Sequence, residues 1–217
     1  MLRPGVVIES CEICRRPKAV CVCDRIVSYP TSLRLVILQH PQEQDALLGS
    51  AQILVASLPK VQLVIGLSWR SLGHAMGEDV DVSKWAVLFP ERDGRSGVRE
   101  ASALEGIVVL DGTWSKAKTL WWRNPWLNRM NRLTLKPKQP SIYGKLRAEP
   151  KREYVSTLES VALALTLCGE SPEIEAGLHR VFRTLVQRVR DADVPKEARK
   201  LPRRTRPPRV PKPVKEP

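Results

Sequence analysis

The sequence predicts an α/β fold built on a mostly parallel sheet with helices on both faces. Strand-like runs that are apolar throughout, helix-like segments placed between them, and the near absence of strict apolar–polar alternation all point to strands buried on both sides. LRLVILQH at 33–40 is the first such run, ending in polar residues. Residues 43–58 mix Ala, Leu and Gln at helical spacing, and VQLVIGLSW at 61–69 reads as a second strand. WAVLFP at 85–90 is a third, closed by a proline that cannot continue a ladder. GIVVLD at 106–111 is the fourth and the clearest. TWSKAKTLWWRN then predicts a helix, and RLTLKP at 132–137 a short further strand. The segment 156–168, STLESVALALTLC, predicts a helix opened by Ser156 and Glu159 at capping-box spacing. A last helix is expected over 174–190.

A chain of 217 residues fits one catalytic domain with appendages. The expected division is a four-cysteine zinc-binding knuckle over 1–30, a catalytic domain over 31–194 and a disordered basic, proline-rich tail over 195–217. No apolar run approaches the ~20 residues that span a bilayer, and MLRPGVVIESCEIC lacks the apolar core of a secretory signal. A soluble, cytoplasmic protein with no membrane partner is the expectation; oligomeric state stays open, a monomer included. Thirty-six Lys and Arg against 23 Asp and Glu give a formal charge of +13, which favours a polyanion such as RNA or DNA, or an anionic membrane surface.

Four of the five cysteines crowd into CEICRRPKAVCVC as Cys11, Cys14, Cys21 and Cys23. Two close pairs in a chain without an export signal suit a tetrahedral thiolate site for structural Zn²⁺. Reduced unliganded thiols and an iron–sulfur cluster are the alternatives. Four thiolates leave no open position for a catalytic water. Cys168 lies in an apolar helical segment and reads as a packed residue.

Open α/β sheets bind ligands outside the carboxyl ends of their strands. Those ends carry His40, Pro41 and Glu43, then Phe89 and Pro90, then Asp111, Gly112, Thr113 and Trp114. Asp111 is a carboxylate at a strand tip before a glycine, which fits a ligand site and equally a turn or helix cap. A strand followed by DGT also occurs in phosphatases reading D-x-D-G-T, but the attacking Asp of that pattern is replaced here by Val109, so an aspartyl-phosphate route has no nucleophile. Trp121, Trp122 and Trp126 among Lys118, Arg123 and Arg129 combine base-stacking rings with phosphate-neutralising charge, while core packing claims at least one of the rings.

In several separate places the sequence resembles the DTW-domain proteins, tRNA-uridine aminocarboxypropyltransferases. The matches are the cysteine knuckle with Arg16-Pro17 between its pairs, Leu38-Gln39-His40-Pro41 with Glu43, Leu88-Phe89-Pro90, Leu110-Asp111-Gly112-Thr113-Trp114 with Ala117, Ser141, Tyr143 and Arg147, and Ser156-Thr157-Leu158-Glu159. They run in the family's order over roughly residues 11 to 170. Two departures stand out: Gly112 interrupts Asp-Thr-Trp, and Ile142 replaces an expected basic residue.

The resemblance implies a SPOUT-like fold with a trefoil-knotted cofactor site, and transfer of the 3-amino-3-carboxypropyl group of S-adenosylmethionine to N3 of a uridine in tRNA. It implies Asp111 as the catalytic residue, in the role of base, orienting carboxylate or cofactor ligand. Leu88, Phe89, Pro90, Thr113, Trp114, Ser156 and Thr157 would bind the co-substrate, and His40, Tyr143 and Arg147 the RNA, joined by Lys118 and Arg123 from the tryptophan-rich basic segment. Modification of ribosomal RNA, or a non-catalytic zinc-containing RNA-binding protein, are the competing readings.

Overall fold

The structure, a computed structural model, describes residues 9–88, 101–147 and 155–194. Phe89, Pro90 and the basic tail at 195–217 lie outside the described residues.

Among the described residues, strands β1 (Arg34–Gln39), β2 (Val61–Ile65), β3 (Trp85–Leu88), β4 (Gly106–Asp111) and β5 (Asn131–Leu133) form one sheet in the order β2-β1-β4-β3-β5. Every pairing in it is parallel. The helices are α1 (Ala51–Ser57), α2 (Leu72–Met76), α3 (Trp114–Arg123), α4 (Thr157–Leu167) and α5 (Pro172–Asp191). None of them is long and apolar enough to cross a membrane.

The all-apolar strands are explained by two cores, one on each side of the sheet. Leu35, Ile37, Ala86, Ile107 and Val109 pack with α1, α4 and α5, while Val36, Leu38, Val87 and Val108 pack with α2, Trp121 of α3, Leu127 and Met130. Successive strand residues point to opposite faces, so burial on both faces demands apolar residues at every position of the central strands. The edge strand β2 is only half-buried. Gly106 opens β4 because the Trp85 ring lies across it on the paired strand, where an added Cβ would come within 2.5 Å of the indole.

The helix expected over 43–58 is much shorter than its composition suggests. A 3₁₀ turn covers Pro41–Glu43 and regular helix begins only at Ala51. Between them, tertiary partners take the carbonyls that a helix would use. Arg16 Nε and Nη2 donate to Leu47 O at 3.0 Å and Gly49 O at 2.7 Å, and Tyr143 Oη donates to Leu48 O at 2.8 Å. The second strand stops at Ile65, the third is described to Leu88, and the short fifth covers Asn131–Leu133 instead of 132–137. α2 appears where composition gave no signal, capped by the Ser71 hydroxyl, which accepts from His74 N.

The cysteine knuckle is built onto the body. Val20 and Val22 are fully buried in the same core as α4 and α5, and Arg188 of α5 donates to Cys21 O and to both Asp24 oxygens at 2.9 Å. Arg16, 2% exposed, is the other anchor. An Arg16→Ala variant therefore orphans two carbonyls, each worth ~1–3 kcal/mol when left buried and unpaired. Urea unfolding should show a stability loss of at least ~2 kcal/mol; a loss below ~0.5 kcal/mol, the range of an ordinary surface change, would refute this anchoring.

Candidate active site

β1 and β4 are neighbours whose next strands lie on opposite sides, β2 beyond β1 and β5 beyond β3. Such a reversal opens a crevice at the carboxyl ends, where α/β sheets bind ligands. Gln39 and Asp111, the last residues of these strands, are register partners and point to the same face. Asp111 is 7% exposed; its Oδ2 accepts from Gln39 Nε2 at 2.7 Å and its Oδ1 from Thr157 Oγ1 at 2.6 Å. Burial pushes its pKa above the ordinary carboxylate value, against the opposing pull of the two hydrogen bonds. Glu43 raises it further and Arg147 lowers it.

Thr157 is placed by local sequence. Ser156 caps α4 through a complete capping box, its hydroxyl accepting from Glu159 N while Glu159 Oε2 accepts from Ser156 N. The same Glu159, 6% exposed, accepts from Ser141 Oγ at 2.9 Å and Ile142 N at 2.8 Å, so it also holds the 141–147 loop. Ile142 contributes its backbone N–H there, a contact that needs no basic side chain.

Around the mouth, His40 N donates to Asp111 O at 3.0 Å and His40 Nδ1 accepts from Gln42 N at 3.2 Å. Its imidazole pKa is depressed, first by burial and then by the positive charge of Lys116 and Arg123. Glu43, 8% exposed, accepts from Lys116 Nζ at 2.6 Å and faces Arg147 Nη2 at 3.6 Å. Gly112 lets α3 sit this close, since an added Cβ would stand 2.9 Å from Lys116 Cβ and 3.6 Å from His40 Cβ. That accounts for a glycine between Asp111 and Thr113.

Leu88 ends β3, beside β4, and packs on the core. Thr113 takes the N-cap position of α3 but makes no side-chain cap bond, and Trp114 is half-buried at the helix start. Tyr143, expected on the RNA face, is 2% exposed: its hydroxyl is bonded to Leu48 O and its ring meets Phe182 edge-on at 4.9 Å. It supports Arg147, whose guanidinium lies 5.4 Å from the ring centre, from within the core. Lys118 and Arg123 are exposed on α3. Sequence reasoning gave no site role to Gln39 or Lys116; a polar residue closing an apolar strand was the available signal for Gln39.

Cys11, Cys14, Cys21 and Cys23 bring their sulfurs within 4.8 Å of one another, with Cys11–Cys23 at 3.8 Å and Cys14–Cys21 at 3.5 Å. A tetrahedral zinc with Zn–S bonds of ~2.3 Å requires S···S separations of ~3.8 Å, so the donor set fits the metal. Backbone N–H groups around Cys11 lower its thiol pKa to about 6, favouring the thiolate a metal needs, while burial raises Cys23. Cys168, partly buried at the end of α4, has its thiol raised to about 11 by burial.

The DTW domain family matches residues 8–190. A Drosophila melanogaster protein named tRNA-uridine aminocarboxypropyltransferase 2 is 31% identical over 185 residues, covering 82% of this chain and 73% of its own length. Proteins of the same name from Macaca fascicularis and Mus musculus are 28% and 29% identical, covering 85% and 81% of the chain. The match spans 64% and 61% of those two proteins, less than two thirds of their length. No solved structure matches.

Asp111 offers a test through stability. Because its folded pKa lies above the unfolded value of 3.8, the stability it contributes in neutral form is fully present below that value and is lost as pH rises through the folded pKa. Asn is neutral throughout and can keep both contacts if one partner, either the turned Gln39 amide or the Thr157 hydroxyl, accepts from its NH2 while the other still donates to its oxygen. The melting temperature of Asp111→Asn relative to the unmodified protein should therefore increase between about pH 4 and pH 8. A difference independent of pH would show that Asp111 ionises in the folded chain as easily as in the unfolded one.

Proposed function

The chain belongs to the DTW domain family, and on that premise we propose that it transfers the 3-amino-3-carboxypropyl group of S-adenosylmethionine to N3 of a uridine in tRNA, releasing methylthioadenosine. The observation that carries this reading is the desolvated Asp111 carboxylate, fixed by Gln39 and Thr157 at the strand-order reversal. The name shared by the three relatives supports the reaction class, and the charge of +13 supports a nucleic-acid substrate.

In this reaction N3 of uracil attacks the γ-carbon of the methionine moiety. The carbon–sulfur bond breaks with its electron pair going to sulfur, and the N3 proton passes to Asp111. A raised carboxylate pKa makes Asp111 a stronger base than an exposed Asp, and each of its oxygens retains a lone pair beside the hydrogen bond it accepts. Selection of the γ-carbon over the methyl is a matter of in-line placement. Leu88, Phe89, Pro90, Thr113, Trp114, Ser156 and Thr157 form the co-substrate wall in this proposal, with a SPOUT-like trefoil knot around it; an all-parallel sheet is compatible with that topology. His40, Arg147, Lys118 and Arg123 meet the RNA, and Tyr143 supports Arg147 from beneath.

The four cysteines hold a structural Zn²⁺ in this reading, leaving no open coordination position. The proposed division into a knuckle over 1–30, a catalytic domain over 31–194 and a basic tail over 195–217 places the metal outside the reacting centre, where it fixes Arg16 and through it the 47–49 segment. Metal analysis of protein purified without chelators should give one zinc per chain, and stripping it should lower the melting temperature; protein stable and metal-free as isolated would refute the assignment.

Incubation of unmodified tRNA with S-adenosylmethionine labelled in the carboxypropyl carbons or in the methyl group tests the reaction. Carboxypropyl label in the RNA without methyl label is the expected result, with Asp111→Asn reducing the rate by ~10²–10⁴. Methyl transfer, or tight tRNA binding with no transfer, contradicts the proposal.

A further inference from the structure

Trp122 is 75% exposed, the most open aromatic side chain among the described residues, and the reaction outlined above makes no use of it. Its neighbour Trp121 is 8% exposed, packs in the core beneath α3 and carries the Arg132 guanidinium 5.5 Å from its ring centre. Packing of the helix is thus met by one indole, and the second faces outward.

The place where it faces outward is set by the ends of α3. The helix starts three residues after Asp111 and finishes against the segment following β2. Ser68 Oγ donates to Arg123 O at 3.0 Å; the fully buried Asn124 accepts from Trp69 N at 2.8 Å and donates to Leu67 O at 3.1 Å. β2 and β4 run parallel in one sheet, so both of these points lie at its carboxyl edge. α3 therefore runs along the edge that holds Asp111, with Trp122 ~12 Å from the helix start by helical rise. Arg123 also stands near enough to His40 for its charge to be felt there.

The charge along α3 has one sign: Lys116, Lys118 and Arg123, with no Asp or Glu. From Gly112 to Ala148 the chain carries nine Lys and Arg and no Asp or Glu. Lys118, one helical turn before Trp122, is exposed, as are Arg123 beside it and Arg70 on the abutting loop. A single open indole among cations suits a stacked base with its phosphates neutralised. An apolar protein surface would instead call for a broader hydrophobic patch.

We propose that Trp122 is a stacking platform for an unpaired base of the RNA substrate, neighbouring the target uridine, with Lys118 and Arg123 on the adjoining phosphates. This rests on the RNA reading above, and it is tested by equilibrium binding of unmodified tRNA to the full chain, alongside transfer kinetics. Trp122→Ala should weaken tRNA binding ~5- to 150-fold, the range that base–aromatic stacking supplies. The loss should appear in KM for tRNA while affinity for S-adenosylmethionine is unaltered, and Trp122→Phe should restore most of it. Lys118→Ala should lower the slope of log affinity against log salt by about one, whereas Trp122→Ala leaves that slope in place. Transfer with unchanged tRNA affinity in Trp122→Ala overturns the platform alone and directs Trp122 to a protein partner. Weakened tRNA binding in Trp122→Ala, in a chain whose unsubstituted form transfers no aminocarboxypropyl label, leaves the platform standing while the reaction falls.

Discussion

Two parallel strands that end in register bring an amide and a carboxylate side by side in a space almost closed to water. Gln39 and Asp111 owe their contact to the β1–β4 pairing, in which each residue from Arg34 to Gln39 faces one from Gly106 to Asp111. A slip of one residue would send Gln39 to the opposite face of the sheet and leave the carboxylate desolvated with one partner fewer. The apolar content of both strands resists that slip, because the residues from Leu35 to Leu38 and from Ile107 to Leu110 are each committed to one of two cores. Thr157 reaches the second carboxylate oxygen only because α4 is stopped at a fixed point by its capping box.

From this pair the supporting contacts extend outward without a break. Glu159 joins the start of α4 to the loop carrying Arg147, Tyr143 joins that loop to Leu48, and Arg16 joins Leu47 and Gly49 to the cysteine knuckle. Ser50 closes the circuit by accepting from Leu158 N at 3.3 Å. A cysteine cluster distant in sequence from Asp111 thus shares one set of hydrogen bonds with it. The arrangement carries a stability cost at its centre, since a carboxylate kept from water favours its neutral form, and the same burial makes it a stronger base.

Much of this was legible in the chain. Runs such as GIVVLD state two-sided burial by composition alone, and Ser156 with Glu159 marks the start of α4 to within a residue. Asp111 could be located at a strand tip, and the cysteine spacing pointed to one donor cluster. What escaped depended on partners far apart in sequence. Residues 43–58 have helical composition, but their carbonyls are claimed by Arg16 and Tyr143, 31 and 95 residues away. The resemblance put Tyr143 on the RNA face, yet its hydroxyl is satisfied inside the core. The Glu43–Lys116 pair likewise joins the end of β1 to α3 across 73 residues.

The proposed chemistry turns on whether the buried carboxylate accepts the uridine proton. The pH dependence of single-turnover aminocarboxypropyl transfer, measured for the unmodified chain and for Asp111→Asn, addresses this directly. The account predicts a rate that rises with pH through a midpoint above the ordinary carboxylate value, and loss of that limb in the Asn variant. A limb that persists unchanged in Asp111→Asn would assign the proton to another group and contradict the account.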